Sequence, residues 1–285
     1  MCGITGFIGK GTKNDIERMV TSIKHRGPDD QGVFFDGNVA LGPTRLSILD
    51  LSSAGHQPMF DADKKIAIVF NGEIYNFKKL KEELSEYNFK SNSDTETIIY
   101  LYKKFGEECF KKMDGMFAIA IYDFEKDKIV LVRDRMGKKP LFWGIFQDTL
   151  IFGSELKALM AHPLFKKEID LISLNKYFQY DYIPTPHSIF KNVHKLEPAS
   201  YLVFKDGKTE IKRFWSTDLA EKDISFDDAK IKLDSLLNES VLSRLVSDVP
   251  LGIFLSGGLD SSTVAYYAQK NSKEKIKTFS IGFNE

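Results

Sequence analysis

Residues 66–70, 117–122, 129–132, 141–146 and 150–152 form short apolar runs, the last four separated by only a handful of polar residues each. Parallel neighbours need a crossover of a dozen residues or more, so runs this close can pair only as antiparallel hairpins. Turn chemistry such as Asp36-Gly37 fits the same reading. Two helical stripes accompany the runs. Ile16, Met19, Val20 and Ile23 repeat at i, i+3, i+4, i+7, with Asn14 and Glu17 in capping-box spacing and Gly27-Pro28 beyond the end. Ile98, Leu101, Tyr102 and Phe105 repeat likewise, with Ser93 and Glu96 predicted to cap the helix and Gly106 to end it. Residues 1–160 therefore read as antiparallel hairpins alternating with a few helices.

After about residue 165 the texture changes. A stretch holding Pro184, Pro186 and Pro198 leads to two strand-like runs, 201–204 and 210–214, and the polar residues 216–228 read as a linker. A helix is predicted from about Phe226, with Leu233, Leu236, Leu237, Val241 and Leu245 on one face. A buried-type strand at 251–255, the turn Ser256-Gly257-Gly258, a helix from about Thr263 and a strand at 278–281 then make a βαβ unit of a parallel sheet. Two strands alone leave apolar faces open, so this second unit is expected to be the beginning of a larger α/β domain.

Composition narrows the function classes. Lys plus Arg and Asp plus Glu number 40 each, so no basic surplus argues for a nucleic-acid partner. No apolar run is long enough to span a bilayer, and no membrane role is expected. Cys2 and Cys109 are the two cysteines, with neither metal-type spacing nor a disulfide framework. No signal peptide is apparent, and the cytoplasm is the predicted location.

Cys2 is the first chemical clue. With Met1 removed, its thiol and a free α-amine occupy one residue; the amine titrates near ~8 and a thiol near ~8.5, so each can exchange a proton with the other near neutral pH. That is the arrangement in which an N-terminal amine serves as base for its own nucleophile. Taken alone, Cys2 reads as a small buried strand residue. The second clue is the segment Ser256, Gly257, Gly258, Leu259, Asp260, Ser261, Ser262, placed where a strand turns into a helix. Backbone N–H groups and the helix dipole converge there on an anion, most naturally phosphate. No lysine closes it as in a Walker A loop, and there is no G-x-G-x-x-G.

Cys2 has company. Met1-Cys2-Gly3-Ile4 is followed by His25-Arg26-Gly27-Pro28-Asp29, Arg45-Leu46-Ser47-Ile48, Asn71-Gly72-Glu73-Ile74-Tyr75-Asn76 and Ser93-Asp94. Gly115-Met116-Phe117-Ala118, Arg133-Asp134, Gly137-Lys138-Lys139-Pro140-Leu141 and Ser154-Glu155-Leu156-Lys157-Ala158-Leu159 come later. In order and spacing these resemble the class II glutamine amidotransferase domain of asparagine synthetases. The Ser-Gly-Gly-Leu-Asp-Ser segment resembles the pyrophosphate loop of enzymes that split ATP into AMP and pyrophosphate. The resemblance implies an N-terminal-nucleophile α+β domain at 2–215, two antiparallel sheets sandwiched between helices, followed at 216–285 by the start of an α/β parallel-sheet ATP-pyrophosphatase domain.

It also implies roles. Cys2 would attack the glutamine side-chain amide, with the Asn71 side chain and the Gly72 N–H stabilising the oxyanion. A glycine at 72 suits a backbone that must approach the substrate closely. Arg45 would clamp the α-carboxylate in a fork lysine cannot reproduce. Asp94, assisted by Glu73, would hold the α-ammonium, and Leu46, Ser47, Ile48 and Leu49 would form the adjoining loop. Asp94 reads equally as an acid favoured in a helix first turn. His25 reads as a structural histidine. In the second unit, Leu255 and Ile281 would line the adenine and ribose pocket around residues 256–262, and Asp260 is a candidate magnesium contact. The implied reaction uses glutamine, aspartate and ATP, with magnesium, and yields asparagine, glutamate, AMP and pyrophosphate. Related ligases with a sugar or peptide acceptor, a phosphoribosyl amidotransferase, and a non-catalytic protein of the same fold are the competing readings. The pyrophosphate loop argues against the phosphoribosyl enzyme, and intact Cys2, Arg45, Asn71, Gly72 and Asp94 argue against the non-catalytic one.

Overall fold

The computed structural model describes residues 2–221 and 223–282. The chain divides into two compact units, Met1–Ser216 and Thr217–Glu285. The first unit runs β1 (Gly3–Ile8), α1 (Lys13–Ser22), β2 (Asp30–Gln31), β3 (Phe34–Phe35), β4 (Val39–Arg45), β5 (Met59–Phe60), β6 (Ile66–Ile74), α2 (Phe77–Glu82) and α3 (Asp94–Phe105). It continues β7 (Gly115–Asp123), β8 (Lys128–Arg133), β9 (Phe142–Phe146), β10 (Thr149–Gly153), α4 (Leu156–Met160), α5 (Leu171–Tyr180), β11 (Val193–Lys195), β12 (Ser200–Lys205) and β13 (Lys208–Arg213). One sheet has the order β11-β9-β10-β1-β4-β2, with β3 also on β4; the other has the order β13-β12-β8-β7-β6-β5. Every ladder in both is antiparallel.

Period-two alternation sorts the side chains. Ile4, Ile8, Leu41, Leu150 and Phe152 of the first sheet meet Ala67, Val69, Ala118, Ala120, Leu131 and Leu202 of the second in one apolar layer. Phe7, Ala40 and Ile151 point the other way, against Ile16, Met19 and Val20 of α1 and Leu159 of α4. The result is two antiparallel sheets between helical layers, as the resemblance implies. Burying each large aliphatic in that inter-sheet layer is worth ~1.5–3 kcal/mol against ~1 for a typical cap, and the layer holds many of them, so the sheets and not the helices set the architecture.

Local details differ from the predictions. The capping box of α1 is Thr12 with Asp15, not Asn14 with Glu17: Thr12 is extended and exchanges bonds with Asp15, while Glu17 pairs with Lys13. Ser93 does cap α3, but Glu96 turns back to Lys90 N–H and to Ser91, so it ties down the preceding turn rather than closing a box. Two central strands leave little signal in the sequence beyond the strand-like start at Cys2. β1 and β4 are buried along their whole length yet carry Gly3, Gly6, Gly42 and Pro43, which read as breakers. Helix α5 lies outside the predicted elements; Asp170 caps it through Ile172 N–H and Ser173, and most of its apolar side chains remain exposed.

The second unit runs α6 (Phe226–Ser243), β14 (Gly252–Phe254), α7 (Leu259–Lys270) and β15 (Lys277–Phe279). The strands pair in parallel, and α6 meets α7 through Val241, Tyr267 and Ala268, with Leu237, Leu245, Ile253 and Ile276 around them. Only part of the predicted stripe is buried: Leu233 and Leu236 are 57% and 54% exposed. Helix α7 begins four residues before the predicted Thr263. Gly257, at a left-handed φ of 83°, completes the turn, and Gly258 caps an entry that Asp260 favours in the first turn. The final strand ends at Phe279, because Ser280 turns its hydroxyl back to the Leu255 carbonyl; Ile281 lies outside it.

Candidate active site

The local folding that places Cys2 is the pairing of β1 with β4, which sets Gly3 opposite Thr44 and brings Cys2 beside the end of β4. The Cys2 sulfur lies 3.3 Å from the Leu46 N–H that donates to it and 3.5 Å from the Leu46 carbonyl. The Arg26 Nε donates to the Cys2 carbonyl at 2.9 Å, and its Nη1 reaches Glu155 at 2.8 Å. Burial works to raise the Glu155 carboxyl, yet hydrogen bonds from Arg26, Lys157 and His25 outweigh it and hold it down at about 2. His25 thus belongs to a hydrogen-bonded cluster around Glu155 that braces Arg26 behind Cys2, and it does not line the cavity.

Around Cys2 opens a cavity of about 260 Å³, small enough for a single amino acid. Of the residues the sequence singled out, Arg45, Leu46, Ile48, Leu49, Asn71, Gly72, Glu73 and Asp94 share its wall with Cys2. Ser47 does not; its N–H is committed to Asp29 at 2.8 Å. Asn71 continues the inward parity of Ala67 and Val69 and is fully buried. Neither its Oδ1 nor its Nδ2 has a hydrogen-bond partner among the described residues. An unpaired buried amide is costly unless something else uses it. At Gly72 a Cβ would stand 2.0 Å from the Met116 carbonyl oxygen of β7. The glycine is therefore demanded first by the neighbouring strand, a different reason from the substrate approach expected of it.

Arg45 is divided between two tasks. Its Nη2 donates to the Leu49 carbonyl at 3.0 Å and the Asp50 carbonyl at 2.5 Å, so it anchors the 46–52 loop while facing the cavity. Asp94, at the first position of α3, accepts from the Ile74 N–H at 2.9 Å. Burial, and then the like charge of Glu73, push the Asp94 carboxyl up to about 6 in spite of the helix terminus. Burial raises Glu73 as well, against the Lys139 charge. The cavity wall also holds Gln57, Phe70, Ser93, Thr95, Met116 and Lys139, none of which sequence reasoning placed in a site. The Gln57 Oε1 accepts the Phe70 N–H at 2.7 Å, two residues before the short β5 begins. A polar residue between Gly55-His56 and Pro58 was the available signal.

In the second unit, residues 256–258 form the turn between β14 and α7, and Leu259, Asp260, Ser261 and Ser262 make the first turn of the helix. Ser256 and Ser261 bond to each other, and the Ser261 hydroxyl also reaches the Gly258 carbonyl. Leu255, Ser256, Gly257 and Ile281 line an open depression with Phe254, Phe279 and Ser280. Asp260 is exposed, and among the described residues no group of three or more His, Cys, Asp or Glu could hold a metal ion. A single carboxylate fits magnesium only as a companion to phosphate ligands. Among the described residues no helix is long and apolar enough to cross a membrane.

The sequence profile of the glutamine amidotransferase domain matches residues 1–215, and that of asparagine synthase matches residues 232–285. A relative from Methanocaldococcus jannaschii is 42% identical over 99% of this chain and 60% of its own length. Asparagine synthetase (glutamine-hydrolyzing) 3 of Bacillus subtilis is 36% identical over 100% of this chain and 48% of its own. The chain thus spans about half to three fifths of these relatives. Among solved structures, glutamine phosphoribosylpyrophosphate amidotransferase from B. subtilis superimposes with a TM-score of 0.58 at 17% identity, covering 98% of this chain and 65% of that one, which shows a common fold.

Proposed function

Because the chain belongs to the glutamine amidotransferase domain family, we propose that its first unit hydrolyses glutamine at Cys2 and feeds the ammonia to an ATP-dependent synthesis of asparagine. The observation that carries the first half is the convergence of Cys2, Arg45, Asn71 and Asp94 on one cavity of amino-acid size. Glutamine would lie with its α-carboxylate toward Arg45 and its α-ammonium toward Asp94 and Glu73. Once Met1 is removed, the Cys2 α-amine takes the thiol proton as sulfur adds to the amide carbon. The Asn71 amide and the Gly72 N–H take up the charge on oxygen, each worth ~3 kcal/mol in comparable sites. The amine returns the proton to the departing nitrogen, ammonia leaves, and water cleaves the γ-glutamyl thioester to glutamate and free thiol.

The second half rests on the asparagine synthase match at 232–285 and on the names of the relatives. Residues 2–215 serve as the glutaminase domain and 216–285 as the beginning of an ATP-pyrophosphatase domain. There ATP would activate aspartate as aspartyl-AMP with release of pyrophosphate, and ammonia would displace AMP. The 256–262 turn would hold the phosphates, Leu255 and Ile281 the nucleoside, and Asp260 one position of a phosphate-bound magnesium. The two free cysteines suit the reducing cytoplasm. Cys2→Ala is the direct test: glutamate release from glutamine should fall to background while the circular-dichroism spectrum and melting temperature stay those of the parent. Near-normal glutaminase activity in that variant would remove Cys2 from the mechanism, and inactivity of the parent protein would favour the non-catalytic reading.

A further inference from the structure

One buried cation on the cavity wall has no part in the reaction as described. The turn after β8 is wrapped around the Asp134 carboxylate, which accepts from the N–H groups of Met136, Lys138 and Lys139 and, across the sheet, from Phe117. Arg133 closes the turn from the other side, with Nε on the Lys139 carbonyl at 2.8 Å and Nη2 on the Gly137 carbonyl at 2.7 Å. Gly137 supplies the left-handed residue the turn requires, φ 66°. The consequence is that two chemically identical neighbours part company. Lys138 leaves for solvent, whereas Lys139 is 5% exposed and lines the same cavity as Cys2 and Glu73. Lysine is almost never buried so deeply without negative charge to face.

We propose that Lys139 is a positioning residue of the glutaminase reaction: its ammonium, held on the cavity wall with Cys2 and Glu73, supplies the positive charge that lets the Cys2 sulfur ionise in a buried site. The proposal rests on Cys2 being the nucleophile. Burial pushes the Cys2 thiol up, and the Leu46 hydrogen bond together with the charges of the chain-terminal amine, Lys139 and Arg45 pulls it back. Arg45 is committed to loop carbonyls and, with glutamine bound, to the substrate carboxylate. The α-amine must give its proton to the departing nitrogen, so Lys139 is the side-chain cation that stays through the reaction. Burial lowers Lys139 itself and Arg26 lowers it further, while Glu73, Cys2 and Asp134 favour its charged form. Removing the ammonium would leave Glu73, Asp94 and the nascent thiolate as like charges around one small cavity, a second penalty on top of desolvation.

Thiol reactivity reads this directly. The full chain is alkylated with iodoacetamide between about pH 5 and 10, and the Cys2 peptide is quantified by mass spectrometry; buried Cys109 is the internal control. Lys139→Met, nearly the same shape without charge, should move the alkylation midpoint of Cys2 up by about one pH unit and lower glutaminase kcat about tenfold at neutral pH with KM nearly unchanged. Lys139→Arg should restore both. Should Lys139→Met fold poorly, Lys139→Gln provides the same comparison. An unmoved midpoint in either neutral variant overturns the proposal, as does an equal displacement in Lys139→Arg, which would make the role one of shape. Absence of glutaminase activity in the parent protein would overturn the functional reading alone, since the alkylation midpoints decide the Lys139 charge independently.

Discussion

Asn71→Ala separates a functional amide from a structural one, because the two roles predict opposite signs of stability change. The Asn71 side chain is fully buried, and both its polar atoms lack a partner among the described residues. A buried amide in that state costs the fold on the order of 1–3 kcal/mol. Truncation to alanine removes this penalty and loses only a small apolar contact, about one methylene or ~0.8 kcal/mol. The net change should be near zero or slightly stabilising, and for a unit this size each kcal/mol is roughly 2–4 °C of melting temperature. Catalysis should behave in the opposite way. One of two oxyanion donors is lost while the Gly72 N–H remains, so kcat should fall about 10²–10³-fold, ~2.7–4 kcal/mol. The ground-state carbonyl carries less charge than the oxyanion, so KM should move by no more than about threefold. Glutamate release at saturating glutamine and a thermal melt on the same preparation give both numbers. A variant that melts ten degrees lower, or that keeps kcat within about threefold, would refute the reasoning, since Asn71 would then be a packing residue.

Arg45→Lys should raise KM for glutamine about tenfold, ~1.4 kcal/mol, because lysine loses both the carboxylate fork and the grip on the Leu49 and Asp50 carbonyls; an unchanged KM would assign Arg45 to the loop alone. Asp94, pushed up to about 6 by burial and by Glu73, must be ionised to hold an ammonium. Glutamine affinity measured by calorimetry on Cys2→Ala, which binds without turnover, should be level above that pH and fall about tenfold per unit below it. The stability effect has the reverse sign: a raised carboxyl favours the fold at low pH and loses that contribution as pH rises through about 6. A flat affinity down to pH 5 would exclude Asp94 from the ammonium site. Residues 252–269 contain no Lys or Arg, Asp260 adds a negative charge, and the Ser256 and Ser261 hydroxyls are already bonded to each other. Backbone N–H groups alone should therefore bind ATP no tighter than ~1 mM in this chain, and a micromolar constant by calorimetry would show that the turn is a finished site.

How much of this was legible follows from where each signal resides. β6, β7 and β8 announce themselves because runs such as Ile119-Ala120-Ile121 and Ile129-Val130-Leu131-Val132 are apolar and bounded by polar residues. β1 and β4 do not, although they lie at the centre of their sheet. Their neighbours press so closely that side chains are excluded: a Cβ on Gly6 would stand 2.3 Å from the Ala40 carbonyl oxygen, and one on Gly42 2.3 Å from Val20 Cγ2. A propensity reading scores those glycines as turns, when they are the condition for the strands to pack. The cap of α1 shifted for a related reason. Spacing finds Asn14 and Glu17 as readily as Thr12 and Asp15, and only the extended backbone at Thr12 chooses between them.

The site divides along the same line. Residues whose chemistry is rare in context, a cysteine at position 2 or Asn71-Gly72-Glu73 at the end of an apolar strand, could be named from the chain because their types and order carry the information. Gln57 and Lys139 could not, since what matters in each is direction. Gln57 is a loop residue in sequence and a surrogate strand partner in space, its carbonyl taking the Phe70 N–H one residue before Asn71. Lys139 differs from Lys138 in direction alone, set by the grip of Asp134 and Arg133 on the turn that holds both. A cavity to which β6, the first turn of α3 and the residue before β1 bring Asn71, Glu73, Asp94 and Cys2 needs such residues to hold those ends in register. They are of ordinary type because their task is geometric, and an ordinary type leaves no mark in a single sequence.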